Sequence, residues 1–159
     1  MANRQRMTKR QIQKVVDLKD RSDLVSFKTF EEEPTSVKAR ELFNGVSSLV
    51  STLEKTHDGE YFDYWKFQIV KATASIYANL AEGYGRGGAN MKLHYLRIAR
   101  GSAFEVMAHF RTSLTKPDKE LRLLCRDVCK DLGDLIQKCA QRELERVLNG
   151  GSPDTRDDH

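Results

Sequence analysis

Large side chains recur every three or four residues through Phe62, Trp65, Ile69, Val70, Thr73, Ile76, Tyr77, Leu80 and Tyr84. The period is that of an α-helix, and the apolar arc is unusually broad. A helix apolar over so wide an arc is buried from more than one side. The spacing therefore predicts a central helix over roughly residues 60–84, packed against more than one neighbour.

Three further segments share the period. One runs roughly over 36–55, with Val37, Leu42, Val46, Leu49, Val50 and Leu53 on its apolar side. Pro34 suits a helix start, and Thr35 or Ser36 is the expected cap. Thr56-His57-Asp58-Gly59 breaks it. A second runs roughly over 89–115, with Leu93, Leu96, Ala99, Ala103, Val106, Phe110 and Leu114, and stops at Lys116-Pro117-Asp118. The last runs roughly over 118–148, with Leu121, Leu124, Val128, Leu132, Leu135 and Cys139, and ends at Asn149-Gly150-Gly151. Period-2 alternation is absent, so no strand is expected. Four helices joined by short loops predict an all-α, up-down-up-down four-helix bundle.

That bundle occupies residues 34–148. Residues 1–33 read as a basic arm, flexible or partly helical, with Ile12, Val15, Val16 and Leu18 as thin apolar content. Residues 149–159 read as an acidic flexible tail. The 159 residues suffice for one domain with a core that needs no staples. No apolar run is long enough to cross a membrane, and the basic N-terminus lacks the apolar stretch of a secretory signal. Cys125, Cys129 and Cys139 are odd in number and share one helical pattern, which suggests reduced thiols in a cytoplasmic protein.

The net charge is only +4, but its distribution is uneven. Residues 1–30 carry eight Lys/Arg against three Asp, and residues 87–117 carry five Lys/Arg against Glu105. The final ten residues hold Asp154, Asp157 and Asp158 against Arg156. Two basic regions separated by neutral or acidic ones point to a polyanionic partner, with plain solvated charge as the competing account. On the third helix Arg97, Arg100 and Arg111 fall along one edge with Phe104 among them. Arginine offers phosphate a fixed fork of donors, and an interleaved aromatic can stack on a base. Alternatively Phe104 is core and the arginines lie along apolar surface or pair with acids. Arg4, Arg6, Lys9, Arg10 and Lys14 in the arm would extend a nucleic-acid footprint.

On the second helix Gln68, Ser75, Asn79, Glu82 and Arg86 share one side. They are either a solvated stripe with a Glu82–Arg86 pair, or a polar seam bonded to a neighbouring helix or subunit. Gly83, Gly85, Gly87 and Gly88 are not a phosphate loop: a helix precedes them where nucleotide motifs need a strand, and the Lys-Ser/Thr pair is missing. They read as a helix cap and hairpin turn.

Two stretches carry a family resemblance. Ala74-Ser75-Ile76-Tyr77-Ala78-Asn79-Leu80-Ala81-Glu82-Gly83-Tyr84-Gly85-Arg86 resembles the signature of small four-helix-bundle proteins first noticed in intervening sequences of bacterial large-subunit ribosomal RNA genes. Leu96-Arg97-Ile98-Ala99-Arg100-Gly101-Ser102-Ala103-Phe104-Glu105 resembles that family's second signature, and Lys38-Ala39-Arg40-Glu41-Leu42 matches its opening helix loosely. The resemblance covers about residues 27–148. It implies a structural seam of Ser75, Asn79, Glu82, Ser102 and Glu105. It also implies a homo-oligomeric ring, generally a pentamer, with a basic outer surface. The family includes the accessory variability determinant (Avd) proteins, which bind nucleic acid and a reverse transcriptase in diversity-generating retroelements.

The expected function is therefore a non-enzymatic RNA- or DNA-binding accessory protein, Avd-like, with a reverse transcriptase as a possible partner and no cofactor or metal. A protein-binding scaffold is the alternative. A HEPN-type ribonuclease is a poorer fit, because its Arg-x4–6-His motif is not met by Arg86 to His94 or by Arg100 to His109. Cys125 and Cys129 lie four apart, but no further Cys/His set completes a zinc site.

Overall fold

The computed structural model describes residues 29–86, 88–113 and 116–150. Four helices follow a single helical turn at residues 29–32: α1 (Pro34–Leu53), α2 (Glu60–Gly85), α3 (Ala89–Thr112) and α4 (Lys119–Leu148). No strand occurs among the described residues. Each helix packs on its neighbours in a closed cycle, α1 on α2, α2 on α3, α3 on α4 and α4 on α1, with no diagonal contact. Pairs of contacts in opposite chain order give the directions. Trp65 meets His109 and Ser75 meets Ser102 between α2 and α3, and Lys38 meets Asp131 and Gly45 meets Leu121 between α1 and α4, while Lys66 of α2 reaches back to Glu54 at the end of α1. Neighbours are antiparallel, and the bundle runs up-down-up-down as the short connections predict.

The core is one cluster. Leu42, Val46, Ile69, Ile76, Leu80, Leu96, Val106, Val128 and Leu132 are fully buried, and Trp65 and Phe62 close one end. The broad arc of α2 is buried from both sides, since α2 contacts both α1 and α3. Val70, Tyr77 and Tyr84 pack against the cluster as partly buried residues.

The helix ends correct the sequence reading in three places. The first helix spans Pro34–Leu53, and its cap is Glu33 rather than Thr35 or Ser36, both of which are buried. Proline at the first helical position has no amide to satisfy, so the Glu33 carboxylate reaches on to the Ser36 N–H at 2.9 Å. The third helix stops at Thr112, short of the expected 115. The packed unit also begins before residue 34. Phe30 is buried, with its ring 4.9 Å from Tyr77 and 6.0 Å from Tyr84. Asp118 caps α4 by accepting from the Leu121 N–H, and Asn149 with Gly150 ends it. Arm residues Arg4, Arg6, Lys9, Arg10 and Lys14, the Leu114 position and the tail from 151 onward lie outside the described residues.

A candidate polyanion face beside a structural seam

The signature residues of α2 and α3 meet each other. Ser75 Oγ and Ser102 Oγ are 2.8 Å apart, and the Asn79 amide donates to Ser75 Oγ at 3.0 Å and to the Ser75 carbonyl at 2.7 Å. Ser102 is buried and Ser75 and Asn79 half-buried. Buried polar atoms that bond only in one register pin the two helices against sliding. No buried side-chain polar atom is left without a partner among the described residues.

Glu82 and Glu105 do not join these bonds. Glu82 is exposed and accepts from Arg86 Nε at 2.6 Å, the i,i+4 pair of the plainer reading. Glu105 is exposed, with His109 Nε2 at 3.7 Å. Glu82 finds a cation one turn away on its own helix and Glu105 a histidine ring, both at exposed positions where the carboxylate stays hydrated. Gln68 lies half-buried on the same side of α2.

Gly83 and Gly85 lie inside α2, so they are not a loop. Gly83 is buried, and a Cβ there would sit 3.4 Å from Tyr95 Cβ and 3.5 Å from the Lys92 carbonyl oxygen. These are ordinary contact distances, so α3 packs directly on this stretch of α2. The turn proper falls to Gly88, whose φ of 79° a residue with a side chain rarely adopts. Two cation–π contacts then clamp the hairpin: Lys92 Nζ is 3.5 Å from the Tyr84 ring centroid, and the Arg86 guanidinium 5.4 Å from that of Tyr95. Burial is the main cause that pushes the Tyr84 hydroxyl up to about 12, and burial likewise lowers Lys92.

The other edge of α3 is different. Arg97, Arg100, Phe104 and Arg111 are all exposed there, with Phe104 at 54%. Phe104 is therefore not a core residue. The Arg100 guanidinium lies 6.0 Å from its ring centroid. Between this edge and α4 runs an open groove of about 460 Å³. Its floor is Met107, Phe110 and Leu123, and its walls carry Arg111, Lys116, Lys119, Arg122 and Arg126. Among the described residues, none of these five cations is in an ion pair.

The α4 wall is absent from the sequence-based site. Lys119, Arg122, Arg126 and Lys130 recur at spacings of three, four and four, so one exposed strip of α4 is basic. Like charges at such spacing repel by a few tenths of a kcal/mol per pair. Lys119 also stands in the first turn of α4, where the helix dipole disfavours a cation. The arrangement costs the folded chain stability, and a bound anion would relieve it.

Cys125 is buried in the core, with Sγ 3.7 Å from the Ala103 carbonyl, and Cys129 Sγ lies 3.4 Å from Met107 Sδ. All three cysteines are free, and no group of three His, Cys, Asp or Glu could hold a metal among the described residues. No described helix is long and apolar enough to cross a membrane.

The fold and both signature segments are matched by one family model, that of the 23S rRNA-intervening sequence protein, over residues 35–141. The chain belongs to that family. Neither the curated proteins nor the solved structures gave a match. The matched region of this family member contains the seam and both walls of the groove, and it leaves out Phe30 and the last turns of α4.

Proposed function

We propose that this 23S rRNA-intervening sequence family member is a non-enzymatic nucleic-acid-binding accessory protein of the cytoplasm. We read its role as Avd-like, that of a partner of a reverse transcriptase in a diversity-generating retroelement. The single observation that supports this reading is the face of unpaired cations shared by α3 and α4, with exposed Phe104 beside Arg100. RNA is the favoured ligand. The resemblance also supports assembly into a pentameric ring, in which each weak basic face would be multiplied by avidity. Tyr61, Tyr64 and Phe67 stand 59–64% exposed on α2, and aromatic residues of this kind are enriched where proteins meet.

That aromatic row favours a second reading, a scaffold that binds protein alone. Anisotropy of a labelled RNA over a salt series separates the two. The triple variant R97E/R100E/R111E should weaken binding about a hundredfold at about 0.1 M salt, because each lost phosphate contact removes about 0.7 from the salt slope. Binding unchanged by the triple variant would overturn the proposed site. A protein that binds no RNA at low salt is the scaffold. A mass measurement in solution tests the ring.

A further inference from the structure

The geometry points to an unpaired, single-stranded polynucleotide as the ligand of the α3–α4 groove, its backbone lying between the two cationic walls and a base stacked on Phe104. This rests on the nucleic-acid reading above and narrows it in two respects: α4 supplies half of the site, and the strand must be unpaired.

The walls argue for a phosphate chain rather than for a single ion. Cations flank the groove on both sides, Arg111 from α3 and Arg122 with Arg126 from α4. They continue along α3 through Arg100 to Arg97, a rise of about 20 Å at 1.5 Å per residue. Charge spread over such a length suits a ligand with a repeating negative charge. The groove carries no carboxylate among its lining residues.

The floor and the aromatic argue for unpaired bases. A duplex turns its phosphates outward and hides its base faces, so it could use only the walls. Met107, Phe110 and Leu123 present an apolar floor between the cations. Phe104 occupies the same edge of α3, three residues before Met107 and seven before Arg111. More than half of it is exposed, which wastes a large apolar ring unless something covers it. The guanidinium of Arg100 on this ring leaves a flat, electron-rich surface with a cation beside it, the setting in which a base stacks. Stacking tolerates any base, so the expected selectivity is for strandedness and not for sequence.

The test uses the full chain and two labelled probes with the same number of phosphates, an oligouridylate of about 12 nucleotides and a blunt duplex. Exposed Arg122 and Arg126 can be reversed without touching the core, and R40E/K55E, on α1 and in the turn after it, gives the same change of net charge away from the groove. Wild type should prefer the single strand. R122E/R126E should weaken it about 25-fold at about 0.1 M salt and lower the salt slope by about 1.4. F104A should weaken it about tenfold with the salt slope unchanged. If R122E/R126E behaves like R40E/K55E while R97E/R100E/R111E still loses binding, the groove is wrong and the nucleic-acid reading survives. Equal binding of duplex with F104A silent would remove the single-strand assignment. Displacement of the oligouridylate by polyglutamate of equal charge, again with F104A silent, would make the groove a dock for an acidic protein. Failure of wild type to bind either probe would overturn both readings.

Discussion

Helix α3 shows one edge to α2 and the other to α4, and the two edges carry different side chains. Toward α2 it offers Ser102, whose hydroxyl meets that of Ser75, and Tyr95, whose ring takes the Arg86 guanidinium, and no buried polar atom among the described residues lacks a partner. Toward α4 it offers Arg97, Arg100, Phe104 and Arg111, whose cations find no carboxylate among the described residues. The first edge spends its chemistry on register. The second carries charge that the fold does not neutralise. The signature segments reach both edges: Ser75, Asn79 and Ser102 fix how two helices pack, while Arg97, Arg100 and Phe104 of the second segment stand on the edge proposed for binding.

The two edges respond to different substitutions. The largest effect on stability is expected in the core between α2 and α3. Ile76→Ala removes a fully buried side chain and should cost about 2–5 kcal/mol in chemical denaturation, with RNA affinity of the folded fraction unchanged. The charge reversals on α3 should do the opposite, weakening RNA while the denaturation midpoint stays near wild type, because those residues are exposed.

A smaller effect isolates the seam. Ser102→Ala leaves Ser75 Oγ with Asn79 alone of its two partners and should cost about 1 kcal/mol, read as a loss of about 4 °C in Tm. Glu82→Gln should change the Tm far less, since Glu82 is exposed and paired only to Arg86. Equal losses would restore Glu82 to the seam.

The smallest effect is seen only in alkali. Tyr84 is pushed up to about 12, against an ordinary value of 10.0, first by burial. Between those values the unfolded chain releases a proton that the folded chain retains, so stability falls as pH rises from about 10 toward 12. Tyr84→Phe should lessen that fall. Tyrosine absorbance in alkali should lose its late-ionising component in Tyr84→Phe.

Most of the fold was legible because punctuation and periodicity agree. Pro34, Gly59, Pro117 and Gly150 bracket helices whose apolar spacing already names Leu42, Ile69, Leu96 and Val128 as core. Phe30 was missed because Glu31-Glu32-Glu33 and Pro34 cut it off from the apolar period of α1. Glu33 was missed as a cap because Thr35 and Ser36 are the commoner capping types, while their positions after Pro34 put them inside the helix. The site was half legible. Periodicity placed Arg97, Arg100, Arg111 and Phe104 on one edge of α3, but it does not say which neighbour that edge faces. Only the antiparallel packing of α4 brings Lys119, Arg122 and Arg126 opposite Arg111.

If nucleic acid meets the α3–α4 face and leaves the α2–α3 seam untouched, photocrosslinking of a 4-thiouridine RNA to the full chain, with the adducts mapped by mass spectrometry, should read this out. Adducts are expected on peptides spanning Arg97–Arg111 and Lys119–Arg126, with Phe104 prominent. Adducts concentrated instead on Tyr61, Tyr64 and Phe67 of α2 would contradict that placement.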